Sequence, residues 1–221
     1  AKEFKGKVVY FGVEDEKLNL PEVSQVADIR HCLNCGAKLD YQMVLSAHMG
    51  HYKCPKCDFE RPGSNVSATN LKFNNDFSTS GQFIVHDSRL TVHYNLPGLY
   101  NVYNVLTALS IADTLKIDHT KIKEKIKDFS AAFGRFQSVQ IPASQAGGRN
   151  RSVVIFLIKN PAGANEVLRS LSLKNNSNIL AILNDNFADG RDVSWIWDTN
   201  WEILKEKTKS ITVSGIRAWD L

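Results

Sequence analysis

The chain has 221 residues, of which 43% are hydrophobic, and it carries a formal net charge of +4. This length allows one large domain or two smaller ones with real cores, and the mild charge is weak support for a polyanionic partner. The sequence has neither an eighteen-residue apolar window nor a signal peptide, so we expect a cytoplasmic protein without membrane spans. Ala1 opens the chain without a methionine, which predicts a piece of a longer polypeptide.

Two Cys-x-x-Cys pairs lie close together near the beginning of the chain, separated by eighteen residues. Their members are Cys32, Cys35, Cys54 and Cys57. This spacing is typical of zinc sites, and four thiolates complete a closed tetrahedral shell. We therefore predict a structural Zn²⁺ in a ribbon over residues 31–62, against the alternative of four unrelated buried cysteines.

Three histidines near the ribbon, His31, His48 and His51, are candidates to replace a thiolate. Because the set of four cysteines is already complete, we expect them to be exposed or hydrogen-bonded instead. The ribbon interrupts sequence rich in strands, which begins at residues 8–13 and resumes at residues 71–73. No run of Lys and Arg interleaved with exposed aromatics accompanies it, so no nucleic acid is expected.

The next segment reads Pro-Gly-Leu-Tyr-Asn-Val-Tyr-Asn over residues 97–104 and predicts the start of a helix that runs through Leu115. Apolar residues at Leu106, Leu109 and Ile111 support the helix. The two asparagines, Asn101 and Asn104, are either helix caps or ligand contacts. A short helix with four lysines follows, whose lysines are expected to form a solvated face.

The last third of the chain predicts a strand, a helix and a second strand, at residues 153–158, 165–171 and 179–183. Both strands are continuous apolar runs, which favours buried strands of a parallel sheet with ligands at their carboxyl ends. Residues 143–151 are expected to form a hairpin tip or an insertion. Residues 189–198 combine three acids, an arginine and two tryptophans, which is unusual for a loop without a function.

Several of these segments resemble one family. Lys159-Asn160-Pro161-Ala162-Gly163 together with the stretch from Asp189 to Trp195 resembles the C-terminal domain of MurT proteins, the Mur-ligase-like subunits of lipid II isoglutaminyl synthase. Gly-x-x-Asn-x-x-Asn at residues 98–104 resembles Mur ligases and folylpolyglutamate synthetase, as does Gly134-Arg135. The family's Gly-x-x-x-x-Gly-Lys-[Ser/Thr] phosphate loop is missing here, and the resemblance places it before Ala1.

The resemblance implies an α/β fold in two parts. Residues 1–130 would be the end of a Mur ligase central, ATP-binding domain with the ribbon at 31–62 inserted in it. Residues 131–221 would be a truncated, Rossmann-like C-terminal domain. The implied activity is ATP-dependent amidation of the D-glutamate α-carboxylate of the lipid II stem peptide, at the inner face of the membrane, with ammonia from a GatD-type class I glutaminase subunit.

The resemblance also implies roles for particular residues. It places ATP, with Mg²⁺, at Asn101, Asn104, Arg135, Lys159 and Asn160, in one cleft between two domains. Lys159-Asn160-Pro161 departs from the Asp-x-x-x-x-x-Pro stretch that Mur ligases commonly carry, which weakens the assignment of Asn160.

Asp192 would complete a Cys-His pair that the glutaminase supplies. Its structural alternative is a cap on a helix that begins at Ser194. Asp185 and Asp189 are the competing acids. Two other functions stay open: a ligase that adds an amino acid, and a non-catalytic zinc ribbon that binds nucleic acid or protein.

Overall fold

The structure is a computed structural model that describes residues 4–21, 30–47, 49–130, 136–145 and 147–221. The chain divides into two compact units, Ala1–Asp128 and Phe129–Leu221. The described strands are β1 Phe11–Val13, β2 Asp40–Ser46, β3 Met49–Lys53, β4 Val66–Phe73, β5 Thr79–Val85, β6 Ser88–Tyr94, β7 Phe136–Ile141, β8 Arg151–Phe156, β9 Ser177–Ile182 and β10 Thr208–Ser214. The described α-helices are α1 Leu99–Thr114, α2 His119–Lys127 and α3 Pro161–Ser172.

The first unit is built on a mixed sheet in the order β1-β4-β5-β6. Strands β4, β5 and β6 are antiparallel neighbours, and β1 pairs in parallel with β4. Alternate residues of β5 are buried, as expected for a sheet with one covered face. The predicted insertion is confirmed. The chain leaves the sheet after β1, forms the ribbon and re-enters the sheet at β4, the strand next to β1.

Helix α1 covers this sheet and begins after Gly98, whose φ of 84° and ψ of 156° suit only glycine. The predicted helix is confirmed, and two of its three apolar residues, Leu106 and Leu109, are fully buried. Ile111, in contrast, is 55% exposed. Two positions along a helix turn the side chain by about 200°, which carries residue 111 to the side opposite Leu109.

Helix α2 begins at its N-cap Asp118, whose Oδ1 accepts hydrogen bonds from the backbone N–H groups of Thr120 and Lys121. Ile126 is buried, and the four lysines of the helix are exposed, which confirms the predicted solvated face. No helix within the described residues has both the length and the apolar character needed to cross a bilayer.

Strand β8 corrects the expectation of a buried central strand in the second unit. It pairs antiparallel with β7, and Val153, Ile155 and Leu157 are exposed. The connection explains the difference, because the chain returns directly from Ile141 to Arg151 and a direct return joins antiparallel strands. Within this turn Asn150 accepts a hydrogen bond from the N–H of Ala143, which confirms the predicted hairpin tip.

The predicted order strand, helix, strand is confirmed by β8, α3 and β9, but β8 and β9 lie in different sheets. The parallel neighbour of β9 is β10. Strand β9 is also less buried than predicted, since Leu180 is 60% and Ile182 61% exposed. Residues 183–207 connect β9 to β10 and contain two 3₁₀-helices, Ser194–Asp198 and Trp201–Leu204.

Candidate functional site

The four cysteines of the ribbon meet at one point. Their sulfur atoms all lie within 4.8 Å of one another, with 3.5 Å between Cys32 and Cys57 and 3.5 Å between Cys35 and Cys54. A tetrahedral ion with metal–sulfur bonds of about 2.3 Å would hold its ligands about 3.8 Å apart. The donor set therefore fits a single tetrahedral, thiophilic ion such as Zn²⁺.

Each pair of cysteines is held by a turn of the backbone. The N–H of Asn34 donates to the sulfur of Cys32, and the N–H of Lys56 donates to the sulfur of Cys54, at 3.3 and 3.4 Å. Gly36, at φ 73°, lets the first turn close with a hydrogen bond from its N–H to the carbonyl of Cys32. The two turns together aim the four sulfur atoms at one point.

A small apolar cluster supports the turns. Cys32, Cys54 and Leu39 are buried in it, and the rings of Tyr52 and Phe59 stack at 5.6 Å between centroids. A core this small supplies little folding free energy by itself. An ion bound by the four cysteines would therefore supply much of the folding free energy of the ribbon.

The thiols titrate at very different pH values in the absence of a cation. Burial raises the pKa of Cys32, but hydrogen bonds from backbone N–H groups and the nearby thiols lower it to about 7. The N–H of Phe59 lowers the pKa of Cys57, but burial and the other three cysteines raise it to about 12. Four adjacent thiolates repel one another, so all four ionise together only around a cation.

Of the histidines near the ribbon, the described ones, His31 and His51, do not join this cluster. His51 Nε2 lies 3.0 Å from a carboxylate oxygen of Glu14 and 3.1 Å from the carbonyl oxygen of Val13, so it ties the ribbon to the end of β1. Arg61 donates to the other carboxylate oxygen of Glu14 at 2.8 Å. His31 is exposed, and His48 lies outside the described residues.

Asn101 and Asn104, both predicted to contact ATP, stand in different environments at the start of α1. Asn101 is 6% exposed; its amide donates to the carbonyl of Pro97 at 2.7 Å, and its oxygen accepts from the amide of Asn104 at 3.1 Å. Asn104 is exposed. Asn101 therefore fixes the helix start and orients Asn104, and Asn104 is the one that a ligand can reach.

Lys159 and Asn160 lie at the start of α3. Asn160 is the N-cap, and its oxygen accepts from the N–H of Gly163 at 2.7 Å, while Pro161 occupies the first turn. Lys159 is exposed. Helix initiation thus accounts for Asn160 and Pro161 in this structure. Arg135 lies outside the described residues, and the meeting of these residues with Asn104 in one cleft stays a prediction.

Asp192 lies on the exposed surface of the loop that follows β9, and its Oδ1 accepts the N–H of Ser194 at 2.9 Å. Hydrogen bonds from the side chain and the backbone of Ser194 hold the pKa of Asp192 below its usual range. The carboxylate is therefore ionised at neutral pH. Val193 and Ile196 anchor the loop in a cluster with Leu183.

The competing acids are already engaged. Asp185 forms an ion pair with Arg217 at 3.0 Å, and Asp189 accepts from the amide of Asn186 at 3.1 Å. Asp192 has no ion-pair partner among the described residues. Asp189 lacks one as well and is also exposed, so Asp185 alone of the three acids is half-buried and held by an ion pair.

Sequence reasoning missed Arg217 as a structural cation. It pairs with Asp185, 32 positions earlier, and with Asp220, whose pKa it lowers. It links the end of β9 to the turn after β10. No local spacing signals such a contact, because the parallel pairing of β9 and β10 alone brings the two segments together.

Comparisons with known proteins agree with these features. The family model for the MurT ligase C-terminal domain matches residues 157–221. The chain is 31% identical over 216 residues to the MurT subunit of the glutamine-hydrolyzing lipid II isoglutaminyl synthase of Staphylococcus aureus, a match that covers 97% of this chain and 46% of that protein. The corresponding subunit of Streptococcus pneumoniae is 30% identical, over 95% of this chain and 45% of that protein.

A solved structure supports the fold. A pseudomurein peptide ligase type C from Methanothermus fervidus superposes with a TM-score of 0.65 at 22% identity, over 96% of this chain and 42% of that chain. This match confirms the predicted Mur-ligase-like α/β fold. The chain spans less than half the length of the MurT relatives that it matches. Residues 157–221 match the model of the MurT ligase C-terminal family, and the chain is similar to MurT subunits along nearly its whole length.

Proposed function

We propose that this chain is part of an ATP-dependent carbon–nitrogen ligase that amidates the D-glutamate α-carboxylate of the lipid II stem peptide, giving D-isoglutamine. In this proposal residues 1–130 are the end of the ATP-binding domain, with the ribbon at 31–62, and residues 131–221 are the C-terminal domain. One observation carries it: an exposed, ionised Asp192 in the segment that matches the MurT C-terminal family.

The chemistry requires an activated carboxyl group. A carboxylate oxygen attacks the γ-phosphorus of ATP, which releases ADP and gives an acyl phosphate; ammonia then attacks the carbonyl carbon, and phosphate leaves with that oxygen. Mg²⁺ would neutralise charge on the phosphates. In this chain, Asn101 would orient Asn104, and Asn104 would contact the adenine. A cluster of cationic and polar groups would hold the rest of the nucleotide. That cluster consists of Arg135, Lys159 and Asn160.

Ammonia has to be supplied locally, because most of it is protonated in neutral water. We propose a GatD-type class I glutaminase as the partner subunit. Its Cys-His pair needs a carboxylate to hold the imidazole in the productive tautomer and to stabilise the imidazolium. Asp192 suits this role because it is exposed, ionised and oriented by Ser194.

The ribbon has a structural role in this proposal. A Zn²⁺ bound by Cys32, Cys35, Cys54 and Cys57 has no open coordination position for a substrate. The ribbon lies in sequence between the paired strands β1 and β4, and His51 of the ribbon contacts Glu14 after β1. Both features suit a module that stabilises the ATP-binding domain. The lipid-linked substrate would bring the cytoplasmic enzyme to the inner face of the membrane.

An isotope experiment tests the proposal. The full-length protein is incubated with its glutaminase, lipid II, ATP, Mg²⁺ and glutamine labelled with ¹⁵N in the side-chain amide, and the stem peptide is analysed by mass spectrometry. We expect one ¹⁵N in place of a carboxyl oxygen, and none when ATP or the glutaminase is omitted. A product that has gained an amino-acid residue would support the competing ligase and contradict this proposal.

A further inference from the structure

Positive charge is concentrated in and just before α2. Residues 116–127 carry five lysines and two acids, a net charge of +3, whereas the whole chain has a net charge of +4. The five are Lys116, Lys121, Lys123, Lys125 and Lys127. A local excess of this kind attracts anionic surfaces.

The fold leaves these lysines available. Helix α2 packs against β6 and α1, with Ile126 buried and Ile122 half-buried, so the lysines project from both flanks into solvent. None of the five forms an ion pair within the part of the chain that the structure describes. One of the two acids, Asp118, is occupied with the N–H groups at the start of the helix.

Aliphatic side chains are exposed beside the lysines. Ile111 is 55%, Leu115 64% and Ile117 40% exposed, all at the end of α1 and in the turn that follows. The turn is fixed, because Lys116 adopts a φ of 57° and the N–H of Ile117 donates to the carbonyl of Ala112 at 2.8 Å. Lysines next to exposed aliphatic residues are typical of elements that lie on membrane surfaces.

We propose that residues 115–127, the basic corner, bind the surface of an anionic phospholipid bilayer. This inference rests on the proposed function, in which the substrate is anchored in a membrane. Lysines meet anionic headgroups, and Leu115 and Ile117 reach the boundary between headgroups and acyl chains. The basic corner has aliphatic rather than aromatic side chains, which suits lipid better than the bases of a nucleic acid.

Vesicle binding tests the basic corner. The full-length protein is sedimented with vesicles of phosphatidylglycerol and phosphatidylcholine, and with vesicles of phosphatidylcholine alone. We expect binding to the anionic vesicles only, and weaker binding as salt is raised. The triple variant Lys121→Gln, Lys125→Gln, Lys127→Gln should bind about a hundredfold more weakly, since each lysine near an anionic surface contributes about fivefold. Leu115→Ser should weaken binding further.

A matched control distinguishes the effect of the basic corner from the effect of the protein's total charge. The variant Lys205→Gln, Lys207→Gln, Lys209→Gln loses the same charge from exposed lysines elsewhere and should bind like the unchanged protein. Equal losses in both triple variants, no binding to anionic vesicles, or binding to RNA in place of vesicles would each overturn the proposal.

An activity measurement on the same protein distinguishes a failure of membrane binding from a failure of the proposed function. Amidation of a soluble, lipid-free stem-peptide substrate should be unchanged by the triple variant of the basic corner, because these lysines do not belong to the reaction site. If the unchanged protein shows no amidation at all, the proposed function fails, and the vesicle measurement still decides on the basic corner.

Discussion

The cysteine ribbon and the Asp192 loop are both short polar segments, yet they differ in how much of their chemistry they contain. The ribbon holds a complete ligand set, with all four sulfur atoms within 4.8 Å of one another. The Asp192 loop presents one exposed carboxylate held by Ser194, and the groups that it would act on belong to another protein. The geometry of the four cysteines is enough to recognise a metal-binding site. The geometry around Asp192 is not enough, and an experiment has to distinguish a catalytic carboxylate from a structural one.

The largest expected effect concerns the ribbon. Cys54→Ser should abolish stoichiometric zinc and unfold residues 31–62, because zinc binding contributes about 10–16 kcal/mol to folding in small zinc-binding peptides. Metal analysis and thermal unfolding of the purified protein measure both losses. The control His31→Ala removes an exposed histidine of the same segment and should keep full zinc. Unchanged zinc content in Cys54→Ser would show that the cysteines are not a metal site.

Smaller effects are expected from alanine substitutions of the two asparagines of α1, and they should differ in kind. Asn101→Ala leaves the carbonyl of Pro97 without its partner and should lower the free energy of unfolding by about 1–3 kcal/mol. Asn104→Ala should leave thermal stability nearly unchanged and raise the KM for ATP about tenfold, the value of one lost hydrogen bond. Steady-state kinetics and thermal unfolding check the pair. An unchanged KM in Asn104→Ala would remove Asn104 from the nucleotide site.

The smallest effect involves Asp118, which caps α2 with the same carboxylate-to-N–H contact that Asp192 makes with Ser194. Hydrogen bonds from the N–H groups of Thr120 and Lys121 lower the pKa of Asp118 below its ordinary value of 3.8. Its ionised form therefore stabilises the fold above that value, and this contribution is lost as the pH falls through the lowered pKa.

Asp118→Asn should accordingly reduce the loss of thermal stability between neutral pH and about pH 3, while leaving stability at neutral pH nearly unchanged, since Asn is also a good cap. Thermal unfolding across this pH range measures the difference. Asp128→Asn, at the other end of the helix, serves as the control. An acid dependence identical to that of the unchanged protein would show that Asp118 does not contribute through its charge.

The sequence predicted local patterns better than long-range pairing. Cysteine spacing located the four-cysteine cluster because a knuckle is a local structure, and the segment at residues 97–104 located the start of α1 for the same reason. The apolar run of β8 predicts a buried parallel strand, but the chain pairs β8 antiparallel with β7, and Val153 and Ile155 are exposed. The Arg217–Asp185 pair was missed, because it depends on the pairing of β9 with β10.

Asp192 shows the other limit. The N-cap of the 3₁₀-helix that begins at Ser194 is Val193, and Asp192 precedes it and accepts the N–H of Ser194. This hydrogen bond is compatible with a structural role in the turn and with the proposed catalytic role, so it does not choose between them. The structure does narrow the candidates, because Asp185 is held by Arg217 in an ion pair, whereas Asp189 and Asp192 each accept only a local hydrogen bond. The choice between the two roles of Asp192 depends on the proposed glutamine-dependent amidation, which would involve a glutaminase subunit.

The most direct test is the activity of Asp192→Asn in the complex of the full-length protein with its glutaminase, with Asp118→Asn as the control cap. Asparagine keeps the size but loses the charge that stabilises an imidazolium, a change that lowers kcat about ten-thousandfold in a serine-protease triad. We expect glutamine-dependent amidation to be abolished in Asp192→Asn and normal in Asp118→Asn, while a high concentration of ammonium salt restores product. Full glutamine-dependent activity in Asp192→Asn, or a parallel fall of both rates together with thermal stability, would contradict the catalytic role.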